Sequence, residues 1–226
     1  MTQLSEVLAK LESMANEKNR QGQKRFGITP TQGLGVTMPQ VRALAQALGT
    51  NHPLAQELWA SGIHEARIMA TIVADPAQVT FEDAKKWALD FETWDLCDQC
   101  CLNLFCHTSL KWDLVEAWAN APEEWLKRAA FALMAVLAVH EKNEPDARFV
   151  GYLSLVETAA EDPRNFVKKA VNWALRQLGK RSWALRQAAL DLALTLSQRA
   201  EPAPRWIGKD AYKELSDPKT QARIQR

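Results

Sequence analysis

The amino-acid sequence predicts an all-α protein, and three observations support this fold class. Residues that favour helices (Ala, Leu, Glu, Gln, Lys and Arg) dominate the chain. Apolar residues recur with the period of a helix in almost every segment, whereas the alternation typical of strands is missing. Gly, Pro, Asn and Asp interrupt the chain at regular intervals. The chain has 226 residues, of which 47% are hydrophobic, so it can bury a substantial core.

The interruptions divide the chain into ten or more predicted helices. They fall at 26–39 (FGITPTQGLGVTMP), 49–53, 75–76, 121–122, 143–145, 162–163, 179–182 and 202–204. The longest apolar run is AAFALMAVLAV at 129–139, about half the length that a membrane span needs. We therefore expect it to form a buried core helix.

Several predicted helices share a pattern in which a charged or polar residue precedes small and then apolar residues. HEARIMATIVA, WLKRAAFALMA, FVKKAVNWALRQ and WALRQAALDLA all follow it, and WALRQ occurs both at 173–177 and at 183–187. Comparable positions are roughly 30 to 40 residues apart, the range in which helix pairs stack into repeat arrays. The period favours such an array, while an ordinary globular helix bundle remains the alternative.

All four cysteines lie in the segment FETWDLCDQCCLNLFCH at 91–107. On a helix capped by Thr93, three of them share one side and the fourth points almost opposite: Cys97, Cys100 and Cys101, then Cys106. Structural zinc sites usually combine two ligand pairs separated by a loop, and no second pair exists here. We therefore predict packing roles for the cysteines, no metal site, and a capping or surface position for His107.

The N-terminal residues MTQLSEVLAKLESMANEKNR do not have the pattern of a signal peptide. We therefore expect a cytoplasmic protein whose thiols stay reduced. The formal net charge of +1 gives no global attraction to nucleic acid or membrane. Any electrostatic role must then arise from local clusters of charge.

Trp94 and Asp98 stand between the cysteines, one helical turn apart, and are expected to share one edge of the helix. An indole beside a carboxylate can form a binding patch. The alternative is a core tryptophan next to a solvated carboxylate, so this pair alone supports no function.

A second cluster is basic. Residues 164–190 contain no Asp or Glu but seven cations: Arg164, Lys168, Lys169, Arg176, Lys180, Arg181 and Arg186. On a helix starting near Asn165, a stripe is formed by Lys169, Trp173, Arg176 and Lys180. Cations around an aromatic ring suit nucleic acid, since they bind phosphates while the ring contacts a base or sugar. A solvated charged face is the alternative here, and for Arg128 it is a surface pair with Glu124.

Six blocks taken together resemble the AlkD-type DNA glycosylases of the DNA alkylation repair family. They are GLGVTMPQVRALA (33–45), GIHEARIMA (62–70), WDLCDQCCLNLF (94–105), WLKRAAFALMAVLAVHEK (125–142), NFVKKAVNWALRQLGKR (165–181) and RWIGKDAYKEL (205–215). The resemblance implies a HEAT-like helical repeat array curved around a concave basic surface. It covers nearly the whole chain, so we expect one domain over residues 1–226.

The resemblance also implies a set of site residues. Asp98 would be catalytic, and Trp94, Arg128 and Trp173 would bind the substrate. The motif W-D-x-x-D is intact at 94–98, although Thr93 stands where some family members have another Trp. The cations that would bind DNA are Lys168, Lys169, Arg176, Lys180 and Arg181.

The activity implied by the resemblance is hydrolysis of the N-glycosidic bond of cationic N3- or N7-alkylated purines in duplex DNA, without base flipping. Because the alkylated base is already a good leaving group, the main need is to stabilise an oxocarbenium-like sugar, which Asp98 can do. We expect a monomer that acts on double-stranded DNA containing alkylated bases, with no cofactor and no membrane partner. The alternatives are a non-catalytic HEAT-like protein that binds branched or damaged DNA and a protein-binding adaptor.

Overall fold

The computed structural model describes residues 3–222 and 224. Over these residues the chain forms fourteen α-helices, two short 3-10 helices and no strand, which confirms the predicted all-α class. The helices are α1 (Gln3–Ser13), α2 (Glu17–Lys24), α3 (Met38–Leu48), α4 (His52–Ala60), α5 (His64–Val73), α6 (Phe81–Leu89), α7 (Trp94–Asn103), α8 (Lys111–Trp118), α9 (Glu124–His140), α10 (Asp146–Ala159), α11 (Asn165–Arg181), α12 (Trp183–Ser197), α13 (Pro202–Ser216) and α14 (Pro218–Gln221). The 3-10 helices span Pro76–Gln78 and Phe105–His107.

The chain folds as two compact units, the first of which ends at Lys111. In this unit α5 packs against α3, α4 and α7. Contacts between successive helix pairs join residues 31 positions apart: Trp87 donates to Gln56, Trp59 donates to Asp90, and His64 bonds Asp95. The Trp59 and Trp87 rings stack with their centroids 4.1 Å apart. The pair α6 and α7 therefore repeats the pair α4 and α5 along the chain.

The second unit starts at Trp112 and repeats with a longer offset. Hydrogen bonds join residues 38 positions apart along α9, α11 and α13: Arg128 to Phe166, Asn172 to Asp210, and Arg176 to Glu214. From one hydrogen-bonded pair to the next, the residue number increases on both helices, as from Asn172 with Asp210 to Arg176 with Glu214. The stacked helices therefore run in the same direction. Offsets of 31 and 38 confirm the period read from the sequence and favour stacked helix pairs over an ordinary bundle.

The apolar run at 129–139 forms most of the C-terminal two-thirds of α9. Every side chain from Arg128 to Ala138 is buried, so the expectation of a core helix is confirmed. No helix among the described residues is long and apolar enough to cross a membrane.

The expected helical position of Cys106 is wrong, because α7 ends at Asn103. The backbone of Leu104 turns out of the helix (φ −125°, ψ −64°), and Cys106 lies in the following 3-10 helix with its thiol 3.0 Å from the Leu102 carbonyl. All four cysteines are buried. Burial raises the pKa of Cys100 and Cys101 well above the usual value, so these thiols stay protonated at neutral pH.

The burial of all four thiols supports the expectation that the cysteines have packing roles. Within residues 3–222 and Ile224, no three His, Cys, Asp or Glu side chains cluster as metal ligands would.

Two glycines allow α11, α12 and α13 to approach closely. The sequence placed Gly179 in an interruption, whereas α11 continues through it to Arg181. A Cβ at Gly179 would lie 2.6 Å from Leu215 Cδ1 and 3.0 Å from Ala189 Cβ. A Cβ at Gly208 would meet the backbone of α12, at 2.5 Å from the Ala193 oxygen. Both glycines therefore serve helix packing.

We expect Gly208→Ala to lower the free energy of unfolding by about 1–3 kcal/mol, because the new methyl group forces α13 away from the α12 backbone. Gly151→Ala is the matched control, since a Cβ there meets nothing within 4 Å on α10. It should raise the same free energy by about 0.5–1 kcal/mol. Urea unfolding followed by circular dichroism measures both, and equal stabilities of the two variants would contradict the close packing at Gly208.

Candidate functional site

In the first unit, the sequence-predicted pair Trp94 and Asp98 lies on the first turns of α7. Thr93 precedes the helix with an extended backbone and is its N-cap, although its side chain makes no capping hydrogen bond. Both Trp94 and Asp98 are half-buried, so neither is a plain core or surface residue. The Trp94 indole Nε1 donates to the carbonyl oxygen of Phe26 at 2.9 Å, which fixes the orientation of the ring.

The Phe26 carbonyl belongs to the loop between α2 and α3, and a buried carboxylate organises this loop. Glu65 is 1% exposed and accepts three backbone N–H groups, from Leu34 (3.0 Å), Gly35 (2.6 Å) and Val36 (3.2 Å). Successive N–H groups that converge in this way form an anion-binding concavity, so the charge of Glu65 is satisfied inside the protein. Glu65 thereby shapes the loop at 33–36.

Further contacts hold the same loop between helices. Gly35 has φ +74°, and a Cβ on it would clash with the Asn16 carbonyl, so the position requires glycine. Backbone carbonyls of the loop also accept hydrogen bonds from its neighbours: the Asn16 N–H donates to Leu34 and the His64 N–H donates to Gln32, both at 2.8 Å. The segment beside Trp94 is consequently anchored on two sides.

Buried His64 and half-buried Asp95 form a pair that the sequence analysis missed. The His64 Nε2 atom lies 2.9 Å from Asp95 Oδ2. Burial disfavours the ionised carboxylate, but the hydrogen bond and charge of His64 hold the pKa of Asp95 below its usual value. In the sequence, Asp95 was noted only as part of the motif W-D-x-x-D. The 31-residue offset between GIHEARIMA and WDLCDQC was the available signal for this pair.

In the second unit, Arg128 lies on α9 with only 4% of its surface exposed. Its Nη1 atom donates to the Phe166 carbonyl on α11 at 2.8 Å. Trp125 stacks on the Phe166 ring with a centroid distance of 5.2 Å. Arg128 is therefore buried against the next stacked helix and does not occupy the exposed surface position considered as its alternative.

Asp162 fixes the N-terminal ends of α9 and α11 relative to each other. It accepts from Arg164 at 2.6 Å and from Lys127 at 3.1 Å. The Arg164 hydrogen bonds lower the pKa of Asp162 to about 2, so the carboxylate stays charged at neutral pH. Arg164 also donates to the Pro122 carbonyl at 2.7 Å. These bonds hold the region in which Arg128 meets Phe166.

Trp173 lies half-buried on α11, two turns after Phe166 and on the same side of the helix. Seven residues correspond to about 10 Å along the axis, so the Trp173 ring and the Arg128 contact share one surface of the second unit. Among the described residues, the Trp173 indole has no hydrogen-bond partner and Lys169 has no ion pair. Both side chains are available to a ligand.

The two later cations of the stripe are neutralised by α13. Glu214 binds Arg176 and Lys180, each at 2.6 Å, and Asp210 lies 3.7 Å from Arg176. Burial opposes ionisation of Glu214, yet its bonds with the two cations hold its pKa below the usual value. The segment 164–190 contains no acid of its own, but stacking supplies acids from 34 to 38 residues further along.

Arg181 and Lys168 also differ from simple exposed cations. The Arg181 side chain is 7% exposed and lies 4.0 Å from the Phe149 ring centroid. Its guanidinium donates to Asp146 and to the carbonyls of Ala138, Glu141 and Glu144. Arg181 thus has a structural role. Lys168 Nζ lies 4.9 Å from the Trp206 ring centroid, in a cation–π contact between α11 and α13.

A family model described as DNA alkylation repair enzyme matches residues 7–215. The chain belongs to this family. The match spans both compact units and all six blocks in which the sequence resembled the family. A search of curated proteins gives no match.

Among solved structures, one similar protein covers 99% of this chain and 96% of its own, with a TM-score of 0.82 and 19% identity. It is described as belonging to a new family of proteins related to the HEAT-like repeat DNA glycosylases with affinity for branched DNA structures. The likeness confirms the HEAT-like fold of this DNA alkylation repair family member. A designed armadillo repeat protein in complex with a (KR)4 peptide has a TM-score of only 0.37, at 14% identity over 99% and 97% of the two chains, and supports no inference.

We expect Glu65→Gln to loosen the loop at 26–37, because an amide supplies one acceptor oxygen where three N–H groups converge on a charge. The free energy of unfolding should fall by about 1–3 kcal/mol, and trypsin should cut faster after Arg25. Glu92→Gln is the control, since Glu92 accepts from Thr31 in the same loop but is exposed. An unchanged cleavage rate in Glu65→Gln would contradict the anchoring role.

Proposed function

We propose that this protein is a DNA glycosylase that hydrolyses the N-glycosidic bond of N3- or N7-alkylated purines in duplex DNA, as the first step of base excision repair. One observation carries the proposal: a half-buried carboxylate, Asp98, lies one turn from an indole, Trp94, whose ring is fixed by the Phe26 carbonyl. The pair occurs in a chain of the DNA alkylation repair family.

The chemistry suits these residue types. An alkylated purine is cationic and departs as a neutral base, which leaves positive charge on the sugar. Asp98 would stabilise this oxocarbenium-like sugar and orient the water that adds to C1′, so that an abasic site results. The face of Trp94 would bind the cationic nucleotide by a cation–π contact worth about 0.5–2 kcal/mol. No extrusion of the base is required by this arrangement.

Arg128 and Trp173 remain in the proposed substrate-binding set. The guanidinium of Arg128 places a permanent positive charge beside the Phe166 carbonyl, and a DNA phosphate would be attracted to it. Trp173 offers an indole on the same side of α11 as Phe166. The proposed DNA contacts are Lys168, Lys169, Arg176 and Lys180. DNA phosphates would compete with Glu214 for Arg176 and Lys180. Arg181 is left out because its donors bind within the protein.

The second candidate function is binding of branched or damaged DNA without catalysis. The structural relative described as having affinity for branched DNA structures favours it. Neutralisation of Arg176 and Lys180 by Glu214 is equally compatible with a protein that binds an unusual DNA shape. Excision activity separates the two candidates, because only the first releases a base.

We expect Asp98→Asn to slow release of methylated purine from alkylated duplex DNA by about 100-fold or more, since the charge that stabilises the sugar cation is lost. Duplex binding should be retained. Chromatography of the released base measures the rate, with Asp113→Asn as the control because it makes the same change at an exposed carboxylate.

A wild-type protein that binds alkylated duplex but releases no base would support the binding-only function. An Asp98→Asn variant as fast as Asp113→Asn would refute the proposed role of the carboxylate.

We expect Glu214→Gln to tighten binding to duplex DNA several-fold, because Lys180 loses its acidic partner and Arg176 keeps only Asp210, at 3.7 Å. The slope of log affinity against log salt should steepen by up to about 2, as two more phosphates are neutralised. Fluorescence anisotropy measures both quantities. Glu161→Gln removes an equal charge from an exposed pair with Arg199, and a Glu214→Gln variant that binds no better than it does would contradict the competition.

A further inference from the structure

The exposed face of α13 carries three cations that the sequence analysis did not single out. Arg205, Lys209 and Lys213 are spaced by four residues and are all exposed. Within residues 3–222 and Ile224, none of them forms an ion pair. They differ in this respect from Arg176, Lys180 and Arg181, whose charges are met by internal acids. The three cations form the largest part of what we call the α13 basic face.

Two exposed aromatic rings flank these cations. Trp206 is 39% and Tyr212 is 42% exposed, and large aromatic side chains on a surface often mark a binding site. Lys168 reaches from α11 to the Trp206 ring at 4.9 Å. The α13 basic face therefore comprises Arg205, Trp206, Lys209, Tyr212 and Lys213, and Lys168 joins it to α11.

The α13 basic face points to the same side as the exposed stripe of α11. The seam between the two parallel helices is marked by Lys168 with Trp206, Asn172 with Asp210, and Arg176 with Glu214. Successive residues of a helix are about 100° apart around its axis. Trp173 follows Asn172, so it is rotated by this angle from the seam on α11. Lys209 precedes Asp210, so it is rotated by the same angle in the opposite sense on α13. Because the helices face each other across the seam, the two rotations lead to the same side.

The charge distribution across this surface is strongly asymmetric. The acids of α13 that face α11, Asp210 and Glu214, are engaged in the seam with Asn172, Arg176 and Lys180. Lys169, Lys209 and Lys213 stand outside it without partners among the described residues. Two exposed acids, Glu201 and Asp217, cap the ends of α13. An anionic ligand placed between these ends would meet the unpaired charges of Lys209 and Lys213.

The spacing of the cations fits a nucleic-acid backbone. Residues four apart on a helix are separated by about 6 Å along its axis, so the three cations span about 12 Å. One DNA strand presents a phosphate about every 3.4 Å of axial rise, so this length covers about three to four phosphates. A compact acidic group would use only one of the three cations.

We propose that the α13 basic face binds the sugar-phosphate backbone of duplex DNA, with Arg205, Lys209 and Lys213 on phosphates of one strand and Trp206 against a deoxyribose. The proposal rests on duplex DNA being the substrate of the proposed function, and it adds a contact surface that extends beyond the stripe of α11. This contact carries no sequence information, so it would strengthen binding to damaged and undamaged duplex alike.

The test measures the affinity of the full chain for an undamaged duplex over a range of salt concentrations. The double variant Lys209→Ala with Lys213→Ala should bind about tenfold more weakly at low salt, and its salt slope should be shallower by up to about 2. The control is Lys85→Ala with Lys86→Ala, which removes two exposed lysines without ion pairs from α6. Circular dichroism checks that both variants are folded, as expected for changes at exposed positions.

The outcomes separate this surface from the proposed function. Equal affinity and salt slope in the two double variants would overturn the α13 contact. Wild-type protein that binds duplex but excises no base would refute the proposed glycosylase while a weaker Lys209/Lys213 variant would still support the surface. If wild type does not bind duplex DNA, both fail. A lysine-dependent affinity for anionic vesicles without any effect on DNA binding would also overturn the contact.

Discussion

Stacking of equivalent helices at a constant sequence offset is the constraint on which the other features depend. In the first unit the offset is 31 residues, as in the bond between His64 and Asp95, and in the second it is 38, as in Asn172 with Asp210. Each helix therefore packs against a counterpart of similar composition one repeat later. Close approach also matters within a helix pair: Gly208 of α13 lies so near α12 that a single methyl group would touch the α12 backbone.

The same stacking decides which charges reach solvent. A cation on one helix lies opposite the residue 34 to 38 positions further along, and in the second unit that residue is often acidic, as for Lys127 with Asp162 and Arg176 with Glu214. The last long helix, α13, is followed only by the short α14 within the described residues. Among the described residues, Arg205, Lys209 and Lys213 form no ion pair, and no stacked helix after α13 supplies a carboxylate there. Many of the unpaired cations that the second unit shows among its described residues therefore lie on α13, its last stacked helix.

In the first unit, a buried carboxylate shapes the surroundings of the proposed catalytic residue. Glu65 accepts the backbone N–H groups of residues 34–36 in the loop between α2 and α3. The same loop includes Phe26, whose carbonyl holds the Trp94 ring. The loop has no regular secondary structure, but these hydrogen bonds fix its position. A proposed substrate-binding indole can therefore keep one orientation before any ligand arrives, which lowers the entropic cost of binding.

Local sequence determined the all-α class, the helical period, the burial of residues 129–138 and the placement of Trp94 and Asp98 one turn apart. These follow from spacing along one helix, which needs no knowledge of neighbours. Tertiary structure alone decided that Glu65 is buried beneath a loop, that Arg181 is structural, and that Arg176 shares an acid with Lys180. The physical reason is that charge and burial at these positions depend on residues about 30 to 40 places away, which meet only when helices stack. The sequence of segment 164–190 contains no acid and therefore predicted a uniformly basic stripe. In the structure, Glu214 of the next stacked helix neutralises part of it.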